Sequence, residues 1–380
     1  MVESPDTILA RLNCQDKITT LGLMSGTSMD GLDLCYCILS LTPATLHYSI
    51  HWSKTVPYPS SLKNAIVAAV RGPNDSVGEL HHRLGRWVAA TVREQLSPAE
   101  RTELDLIGSH GQTIYHEHGI ASLQIGEVSY LARTFEVPVI HDFRSNDIAA
   151  GGCGAPLVPW IDQRVFFTPT ENRICVNIGG ISNITVLWKD QRETTGCDTG
   201  PGMALLDEAW QRLGRSGVDE KGRTAGLGTP KMELVEQWIQ EDEFIQKDPP
   251  KSTGRDRYGE SWIESHWPEL MSLSVPDCLS TLAAFTAETI IIGCRRFIKD
   301  AEYRLIISGG GAHHSAVIAG LKQRVGESGI SFSSDFNIDI DGKEAFVFAL
   351  LAAAFVKGIP ANLPTVTGAG AQVILGKLCL

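Results

Sequence analysis

The sequence lacks several features that would assign it to a specialised class of protein. Its 9 cysteines include no C-x-x-C pair and no Cys/His cluster with the spacing of a zinc site. The longest uncharged apolar run covers residues 345–356 and is too short to span a bilayer. Residues 1–20 contain no apolar core of a signal peptide. We therefore expect reduced thiols and a cytoplasmic protein.

Basic residues are also scarce. The 380 residues include 33 Lys and Arg against 44 Asp and Glu, which gives a formal net charge of -11. An acidic surface opposes non-specific binding to nucleic acid and to anionic membranes, and we expect neither as a partner. Hydrophobic residues make up 43% of the chain, as is typical of a globular protein. A chain of this length suggests two domains.

The hydrophobic pattern predicts an α/β protein in which one series of elements occurs twice. Residues 19–56 favour three strands, followed by helical spacing in 62–70 and 77–96 and by a short strand at 105–108. A similar series begins again at residue 173. The order β-β-β-α-β-α, present twice, indicates a mixed sheet in each of two domains.

Two polar turns lie between apolar strands, one in each half of the chain. The first reads Ser-Gly-Thr-Ser-Met-Asp-Gly over residues 25–31, and the second reads Gly-Gly-Ile-Ser-Asn over 179–183. Glycines let the backbone approach a ligand closely, and successive N–H groups of a turn can form a nest for an anion. Taken alone, the first turn suits a Mg-nucleotide site and an ordinary hairpin turn equally well. Two such turns that face each other could bind one polyphosphate together.

Polar residues also follow buried strands at three other places, which are residues 109–113, 141–144 and 308–313. Open α/β sheets place their ligands at the carboxyl ends of such strands. A dinucleotide dehydrogenase is excluded by the first glycine turn, since that turn leads into a strand and lacks the G-x-G-x-x-G spacing. The glycine-rich bend at 149–156 is a natural place for a change of domain.

Nine motifs in a fixed order resemble one family of enzymes. They are LMSGTSMDGLD at 23–33, SHGQT at 109–113, DFR at 142–144, GAPLV at 154–158, NIGGISN at 177–183, DTGPG at 198–202, PKSTGR at 250–255, SGGGA at 308–312 and KEA at 343–345. Together they resemble the anhydro-N-acetylmuramic acid kinase family, and the resemblance covers residues 21–380. It implies a two-domain actin/hexokinase-like (ribonuclease H-like) α/β fold with ATP in the cleft between the domains. We expect one domain at 1–148 plus about 357–380 and the other at 149–356.

The resemblance implies a hydrolytic kinase that uses ATP and Mg²⁺. The family opens the 1,6-anhydro bond of 1,6-anhydro-N-acetylmuramic acid with water and phosphorylates O6, giving N-acetylmuramate 6-phosphate in cell-wall recycling. The implied partners are ATP and a small anhydrosugar, and the implied assembly is a homodimer. The nearest alternative is a kinase of a related anhydrosugar such as levoglucosan, which has no lactyl group. A further alternative is an actin- or Hsp70-like ATPase that acts as a binding switch. Against it, we see no appended peptide-binding domain in the sequence.

The resemblance assigns roles to some of the matched positions. Asp198 is expected to be the general base, and the alternative is that it caps the helix that follows. For Gly309, Gly310 and Gly311, which match the adenosine-side loop of the family, the alternative is a plain strand-to-helix turn. The positions assigned to ATP are Gly26, Thr27, Ser28, Met29, Asp30, Gly31, Leu32, Asp33, Gly179, Gly180, Ser182, Asn183, Gly309, Gly310 and Gly311.

His110 and Arg144 are expected on the sugar side, because the planar fork of an arginine suits a carboxylate such as the lactyl group. A structural contact of Arg144 with Asp142 or with the backbone is an equally good explanation. Glu344 is a candidate for ordering Mg²⁺ or its waters, with an ordinary glutamate at a helix start as the alternative. Whether the basic residues of the loop 250–255 contact a ligand stays open.

Overall fold

The computed structural model describes residues 4–26, 29, 31–72, 76–299 and 301–380. These residues form a mixed α/β structure with two β-sheets flanked by helices. The chain divides into two compact units, which we call unit 1 (Met1–Val165 with Asn337–Leu380) and unit 2 (Phe166–Phe336). The predicted α/β class with two mixed sheets is confirmed.

The strands of both units follow the alternating and continuous apolar patterns of the sequence. They are β1 (Ile18–Ser25), β2 (Gly31–Leu41), β3 (Leu46–Pro57), β4 (Leu106–Glu117), β5 (Ala121–Ile125), β6 (Val139–His141), β7 (Asn172–Ile178), β8 (Ile181–Leu187), β9 (Thr195–Pro201), β10 (Tyr303–Ser308), β11 (Ile330–Phe332) and β12 (Lys377–Cys379).

Helices connect and cover these strands. They are α1 (Pro5–Cys14), α2 (Ser60–Arg71), α3 (Val77–Gln95), α4 (Pro98–Glu103), α5 (Ser129–Phe135), α6 (Ser145–Ala149), α7 (Val158–Phe166), α8 (Ala204–Arg212), α9 (Met232–Glu241), α10 (Glu243–Gln246), α11 (Glu260–Leu270), α12 (Val275–Phe297), α13 (Ser315–Val325), α14 (Lys343–Val356) and α15 (Pro364–Thr367). Short 3-10 helices lie at Glu220–Gly222, Ala225–Leu227, Gly310–His313, Glu327–Gly329 and Ser333–Phe336.

The two sheets share one topology. In unit 1, β1, β2 and β3 are antiparallel neighbours, β4 runs parallel to β1, and β6 runs parallel to β4. In unit 2, β7, β8 and β9 are antiparallel neighbours, β10 runs parallel to β7, and β11 runs parallel to β10. Unit 1 adds β5 beside β4 and β12 antiparallel to β6. The repeat predicted from the order of elements is therefore present in the sheets themselves.

Helix α14 forms the centre of unit 1 and is apolar on nearly every face. Two glycines let it lie directly on the sheet. A Cβ on Gly22 of β1 would lie 1.9 Å from the carbonyl oxygen of Ala345, and a Cβ on Gly108 of β4 would lie 2.1 Å from that of Phe348. Because side chains alternate along a strand, Leu21 points away from α14 into the cluster formed with α2 and α3.

The division of the chain differs from the expected domain boundaries. Residues 149–165 and 337–356 belong to unit 1, whereas the sequence suggested the second domain for both. The glycine-rich bend is tied to unit 1 because the backbone N of Gly154 donates to the buried carboxylate of Asp147 at 2.8 Å. Helix α14 belongs to unit 1 because it packs on β1, β2 and β4.

Helix α12 is the only helix of the described chain that is long and apolar enough to cross a membrane. Of its most apolar window, 67% is buried inside the structure. Its buried residues include Thr281, Thr286 and Thr289, whose hydroxyls donate to backbone carbonyls of unit 2. We interpret α12 as the core helix of unit 2.

Candidate functional site

Three glycine-rich segments of unit 2 meet at the carboxyl end of β7. The carbonyl of Gly180 accepts hydrogen bonds from the backbone N of Gly202 at 2.9 Å and of Ala204 at 3.1 Å. The carbonyl of Gly179 accepts from the N of Met203 at 2.8 Å. A Cβ on Gly202 would lie 2.2 Å from the oxygen of Gly179, so the close approach requires glycine. The turn after β7 is thereby fixed to the start of α8.

The third segment is the turn from β10 into the short 3-10 helix that follows it. Gly309 has a φ of 83°, and a Cβ there would lie 2.7 Å from Oδ1 of Asn177 at the end of β7. A Cβ on Gly311 would lie 2.2 Å from Cγ2 of Ile178, whereas Gly310 faces open space. Unit 2 therefore brings together all five glycines that were assigned to ATP in this half of the chain.

Two other residues assigned to ATP lie on β8. Ser182 is fully buried, and its hydroxyl donates to the carbonyl of Pro201 at 3.2 Å, so the side chain links β8 to β9. Asn183 is half-buried and pairs with Asp198 across the two strands, next to a β-bulge. Residues directly opposite each other on neighbouring strands have adjacent side chains. Asn183 is therefore a neighbour of the expected catalytic carboxylate.

Asp198 lies within β9 and is half-buried. Its Oδ2 accepts a hydrogen bond from the hydroxyl of Ser252 at 2.7 Å and another from the backbone N of Thr253 at 2.9 Å. The alternative that Asp198 caps a helix is wrong, because Met203 occupies the N-cap position of α8. The carboxylate is instead oriented by the loop of residues 250–255, which we call the 250–255 loop.

The two basic side chains of the 250–255 loop have different surroundings. Lys251 is 8% exposed, and its Nζ donates to the carbonyls of Phe244 at 2.8 Å and Ile245 at 3.2 Å. Burial lowers the pKa of this ammonium group. Arg255 is exposed, and its guanidinium lies so close to Gly180 that a Cβ there would be 3.0 Å from Nε. Lys251 thus anchors the loop, whereas Arg255 lies against the glycine turn.

Asp207 in the first turn of α8 is a further titratable group of this region. Burial raises its pKa from 3.8 to about 6, and the charge of Arg255 opposes part of the rise. Groups whose pKa is shifted toward neutrality cluster at functional sites, although structural ion pairs produce the same effect.

In unit 1, the structure describes part of the segment assigned to ATP. Thr27, Ser28 and Asp30 lie outside the described residues. The backbone N of Met29 donates to the carbonyl of Gly26 at 3.1 Å. The remaining three positions belong to β2. Gly31 lies against the carbonyl of Val56, Leu32 is buried in the core, and Asp33 accepts a 2.6 Å hydrogen bond from Thr55.

A buried polar network binds the carbonyl of Gly26, the residue that follows β1. The hydroxyl of Ser25 contacts that of Tyr58 and donates to Oε1 of Gln112 at 2.5 Å. Nε2 of Gln112 donates in turn to the carbonyl of Gly26 at 3.3 Å. The network joins β1, β4 and the end of β3, so it fixes the start of the turn relative to the sheet.

His110 and Arg144 contact each other directly. Nδ1 of His110 donates to the carbonyl of Gly111 at 2.8 Å, and Nε2 accepts from Nε and Nη2 of Arg144 at 3.2 and 3.0 Å. Burial and the arginine charge hold the pKa of His110 well below its usual range, which agrees with a neutral ring. Nη1 of Arg144 donates to the carbonyl of Gly154 at 2.8 Å, so the expected backbone contact exists. Asp142 pairs with Lys377 instead.

Glu344 opens α14 close to the same arginine. Burial raises the pKa of its carboxyl, and the charges of Lys343 and Arg144 oppose that rise. Lys343 is itself buried and forms a 2.7 Å ion pair with Asp162. The described residues contain no group of three or more potential metal ligands, but Mg²⁺ bound to a nucleotide usually takes only one or two carboxylates beside phosphate oxygens and water. Glu344 is a single half-buried carboxylate of this kind, and its expected role toward Mg²⁺ stays a prediction.

A cavity of about 190 Å³ adjoins His110 in unit 1. Its walls are formed by α3, by β4, by β5 with the turn after it, and by the end of β6. The titratable side chains in its lining are His81, His110, Glu127, His141 and Asp142. The cavity therefore lies beside the middle of β4 and the carboxyl end of β6, and its lining combines titratable side chains with apolar ones.

Several of these contacts were missed from the sequence. Ser252 and Thr253 belong to a recognised motif, but nothing in their spacing indicates that the loop folds back on β9. The shifted pKa of Asp207 depends on burial, which the sequence does not specify. The polar residues Ser25 and Gln112 lie within matched motifs, and only the parallel pairing of β1 with β4 brings them together.

Comparisons with known proteins agree with the motifs. The chain matches the family described as anhydro-N-acetylmuramic acid kinase over residues 18–380. It is 38% identical over 378 residues to a protein of that name from Synechococcus elongatus, covering 94% of this chain and 98% of that protein. It is 35% identical over 374 residues to one from Bacillus cereus, with coverage of 94% and 98%.

Among solved structures, the chain is similar to the (R)-2-hydroxyglutaryl-CoA dehydratase component A of Acidaminococcus fermentans. That match has 13% identity and a TM-score of 0.46, and it covers 89% of this chain and 99% of that one. At this score the likeness carries no conclusion. The sequence matches, in contrast, extend over nearly the whole chain and confirm the resemblance. The chain belongs to the anhydro-N-acetylmuramic acid kinase family.

Proposed function

We propose that this protein hydrolyses the 1,6-anhydro bond of 1,6-anhydro-N-acetylmuramic acid and transfers the γ-phosphoryl group of ATP to O6. The product is N-acetylmuramate 6-phosphate. Family membership supports the substrate and the reaction class. The structural observation that carries the proposal is the position of Asp198, whose carboxylate is oriented by two donors beside the glycine turns of unit 2.

In this reaction Asp198 acts as the general base. It takes a proton from a water molecule while the water oxygen forms a bond with the anomeric carbon C1. The bond from C1 to O6 breaks, and O6 forms a bond with the γ-phosphorus as the bond to the β-phosphate oxygen breaks and ADP leaves. Ser252 and Thr253 bind Oδ2, so they fix the direction in which the carboxylate accepts the proton. General base catalysis contributes about 10² to 10⁴ in rate.

We assign the phosphates of ATP to the two glycine turns predicted from the sequence. In unit 2 these are Gly179 and Gly180 with Asn183 nearby, and Gly309–Gly311 serve the adenosine side. In unit 1 the assignment covers residues 26–33, with the buried network of Ser25 and Gln112 as the support of the turn. Turns rich in backbone N–H groups suit phosphate oxygens.

We assign the sugar to His110 and Arg144. The contacts of Arg144 with His110 and Gly154 use three of its five N–H groups. Two N–H groups remain, which is the number that a carboxylate needs for bidentate binding. The lactyl group of the proposed substrate supplies such a carboxylate. The same pair would have no anionic partner on levoglucosan.

Mg²⁺ would neutralise the charge of the ATP phosphates. Glu344 is our candidate for ordering the metal or its waters, because one carboxylate together with the phosphate oxygens suits Mg²⁺. We derive no step through the metal.

The direct test is an assay with ATP, Mg²⁺ and 1,6-anhydro-N-acetylmuramic acid, in which the product is identified by mass and by its reducing end. A ring-opened 6-phosphate is expected, and levoglucosan in competition should inhibit weakly.

Asp198→Asn should lower kcat by at least about 10² and leave the circular dichroism spectrum unchanged. The control is Asp190→Asn, an exposed carboxylate in the turn before the same strand. Near-normal turnover by Asp198→Asn would contradict the assignment.

We further propose a cytoplasmic homodimer. The hairpin of β4 and β5, with the turn between them, exposes three large apolar side chains, Tyr115, Ile120 and Leu123, which are 48%, 66% and 48% exposed. Exposed apolar clusters are typical of interaction surfaces. Sedimentation equilibrium should give twice the chain mass of 41.3 kDa, and Ile120→Lys should shift the equilibrium toward the monomer.

A further inference from the structure

The 250–255 loop connects the proposed base with the glycine turn of unit 2. Ser252 and Thr253 bind the carboxylate of Asp198, and the guanidinium of Arg255 lies against Gly180. Only Gly254 lies between Thr253 and Arg255, so their Cα atoms are at most about 7 Å apart. The 250–255 loop therefore places the donors to Asp198 and the guanidinium of Arg255 close to each other.

Three basic residues occur in or next to this loop, and two of them are engaged by unit 2 itself. Lys251 points inward and donates to two carbonyls at the end of α10. Arg257 forms a 2.8 Å ion pair with the buried Asp242. Arg255, in contrast, is exposed, and its charge acts on the half-buried Asp207 without a salt bridge among the residues that the structure describes. Because no direct ion pair holds it, the guanidinium can donate to a ligand at the Gly179–Gly180 turn.

We propose that Arg255 binds the γ-phosphoryl group of ATP and stabilises the charge that develops on it during transfer. The proposal rests on the function proposed above, which assigns the Gly179–Gly180 turn to the phosphates. A guanidinium group presents a planar fork of donors that matches phosphate oxygens. Arginines that act in this way contribute about 10³ to 10⁵ in kcat in other phosphoryl-transfer enzymes.

Gly180 has a specific part in this arrangement. Its backbone φ is outside the left-handed region, so alanine is compatible with the conformation. A methyl group there would lie 3.0 Å from two nitrogens of Arg255, and the flexible arginine side chain would have to move away. Gly180→Ala should therefore displace the guanidinium without unfolding unit 2.

Nucleotide binding without sugar tests the contact. Affinities for ADP and for the non-hydrolysable analogue AMP-PNP are measured by calorimetry for the wild type, Arg255→Ala and Arg257→Ala. Arg255→Ala should weaken AMP-PNP binding at least tenfold and leave ADP binding within twofold. The control Arg257→Ala should change neither affinity. An equal loss for both nucleotides, or no loss for either, would overturn the proposal.

A double-mutant cycle with Gly180→Ala separates the arginine contact from a simple clash of alanine with ATP. If Gly180→Ala acts by moving Arg255, the double variant Gly180→Ala/Arg255→Ala should bind AMP-PNP no more weakly than Arg255→Ala. If the double variant instead lost AMP-PNP affinity by the product of the two single-variant factors, this mechanism would be contradicted. Both measurements omit the sugar, so they judge Arg255 even if the protein turned over no anhydrosugar, which would refute only the proposed substrate.

Discussion

The carboxyl group of Asp207 offers a quantitative test of the electrostatics in unit 2. Burial raises its pKa from 3.8 to about 6. A carboxyl with a higher pKa in the folded state takes up a proton on folding, so its ionisation destabilises the fold. The penalty is absent below pH 4, grows as pH rises from 4 to 6, and is complete above pH 6. The difference in pKa corresponds to about 3 kcal/mol, and partial exposure reduces this to about 1–2 kcal/mol.

Asp207→Asn removes this titration. The free energy of unfolding in urea, followed by tryptophan fluorescence, should rise by about 1–2 kcal/mol at pH 7.5 and change little at pH 4. The control is Glu236→Gln, which removes a carboxylate from an exposed position of α9 in the same unit. Loss of stability at pH 7.5, or the same gain at both pH values, would refute the reasoning.

Three further substitutions test the packing of unit 1. Lys343→Met leaves Asp162 as an unpaired buried charge, and it should lower the free energy of unfolding by about 3–5 kcal/mol in urea titrations at pH 7. Gly108→Ala forces a methyl group to within 2.1 Å of the carbonyl oxygen of Phe348, so a loss of about 1–3 kcal/mol is expected in the same assay. Asp147→Asn removes one carboxylate acceptor from a fully buried network and should cost about 1–3 kcal/mol, measured as a lower Tm. An unchanged unfolding midpoint in any of the three would contradict the packing described for that position.

The repeated sheet could be predicted because its determinants are local. Continuous apolar residues in β1 and β7 and alternation in β3 fix the strands, and glycine turns separate them. The helix at 343–356 could likewise be predicted from its composition. Its place in unit 1 could not, because that place depends on Gly22 and Gly108, which leave room for the helix on the sheet.

The candidate site was predictable only in part for the same reason. Motifs identified Asp198 and the glycine turns, since those residues are close together in the sequence. The donors to Asp198 come from residues 252 and 253, and no local pattern indicates a contact over that separation. Lys251 and Arg255 are both basic residues of one loop in the sequence. Only tertiary contacts distinguish the buried anchor from the exposed cation.

The source of the new oxygen atom in the product tests the proposed reaction most directly. The enzyme is incubated with ATP, Mg²⁺ and 1,6-anhydro-N-acetylmuramic acid in H₂¹⁸O, and the product is analysed by mass spectrometry and ³¹P NMR. Attack of water on C1 predicts one ¹⁸O atom at C1, none in the phosphate and a phosphate ester at O6. A phosphorylated sugar with an intact anhydro ring, or ¹⁸O in the phosphate group, would contradict coupled ring opening and phosphoryl transfer.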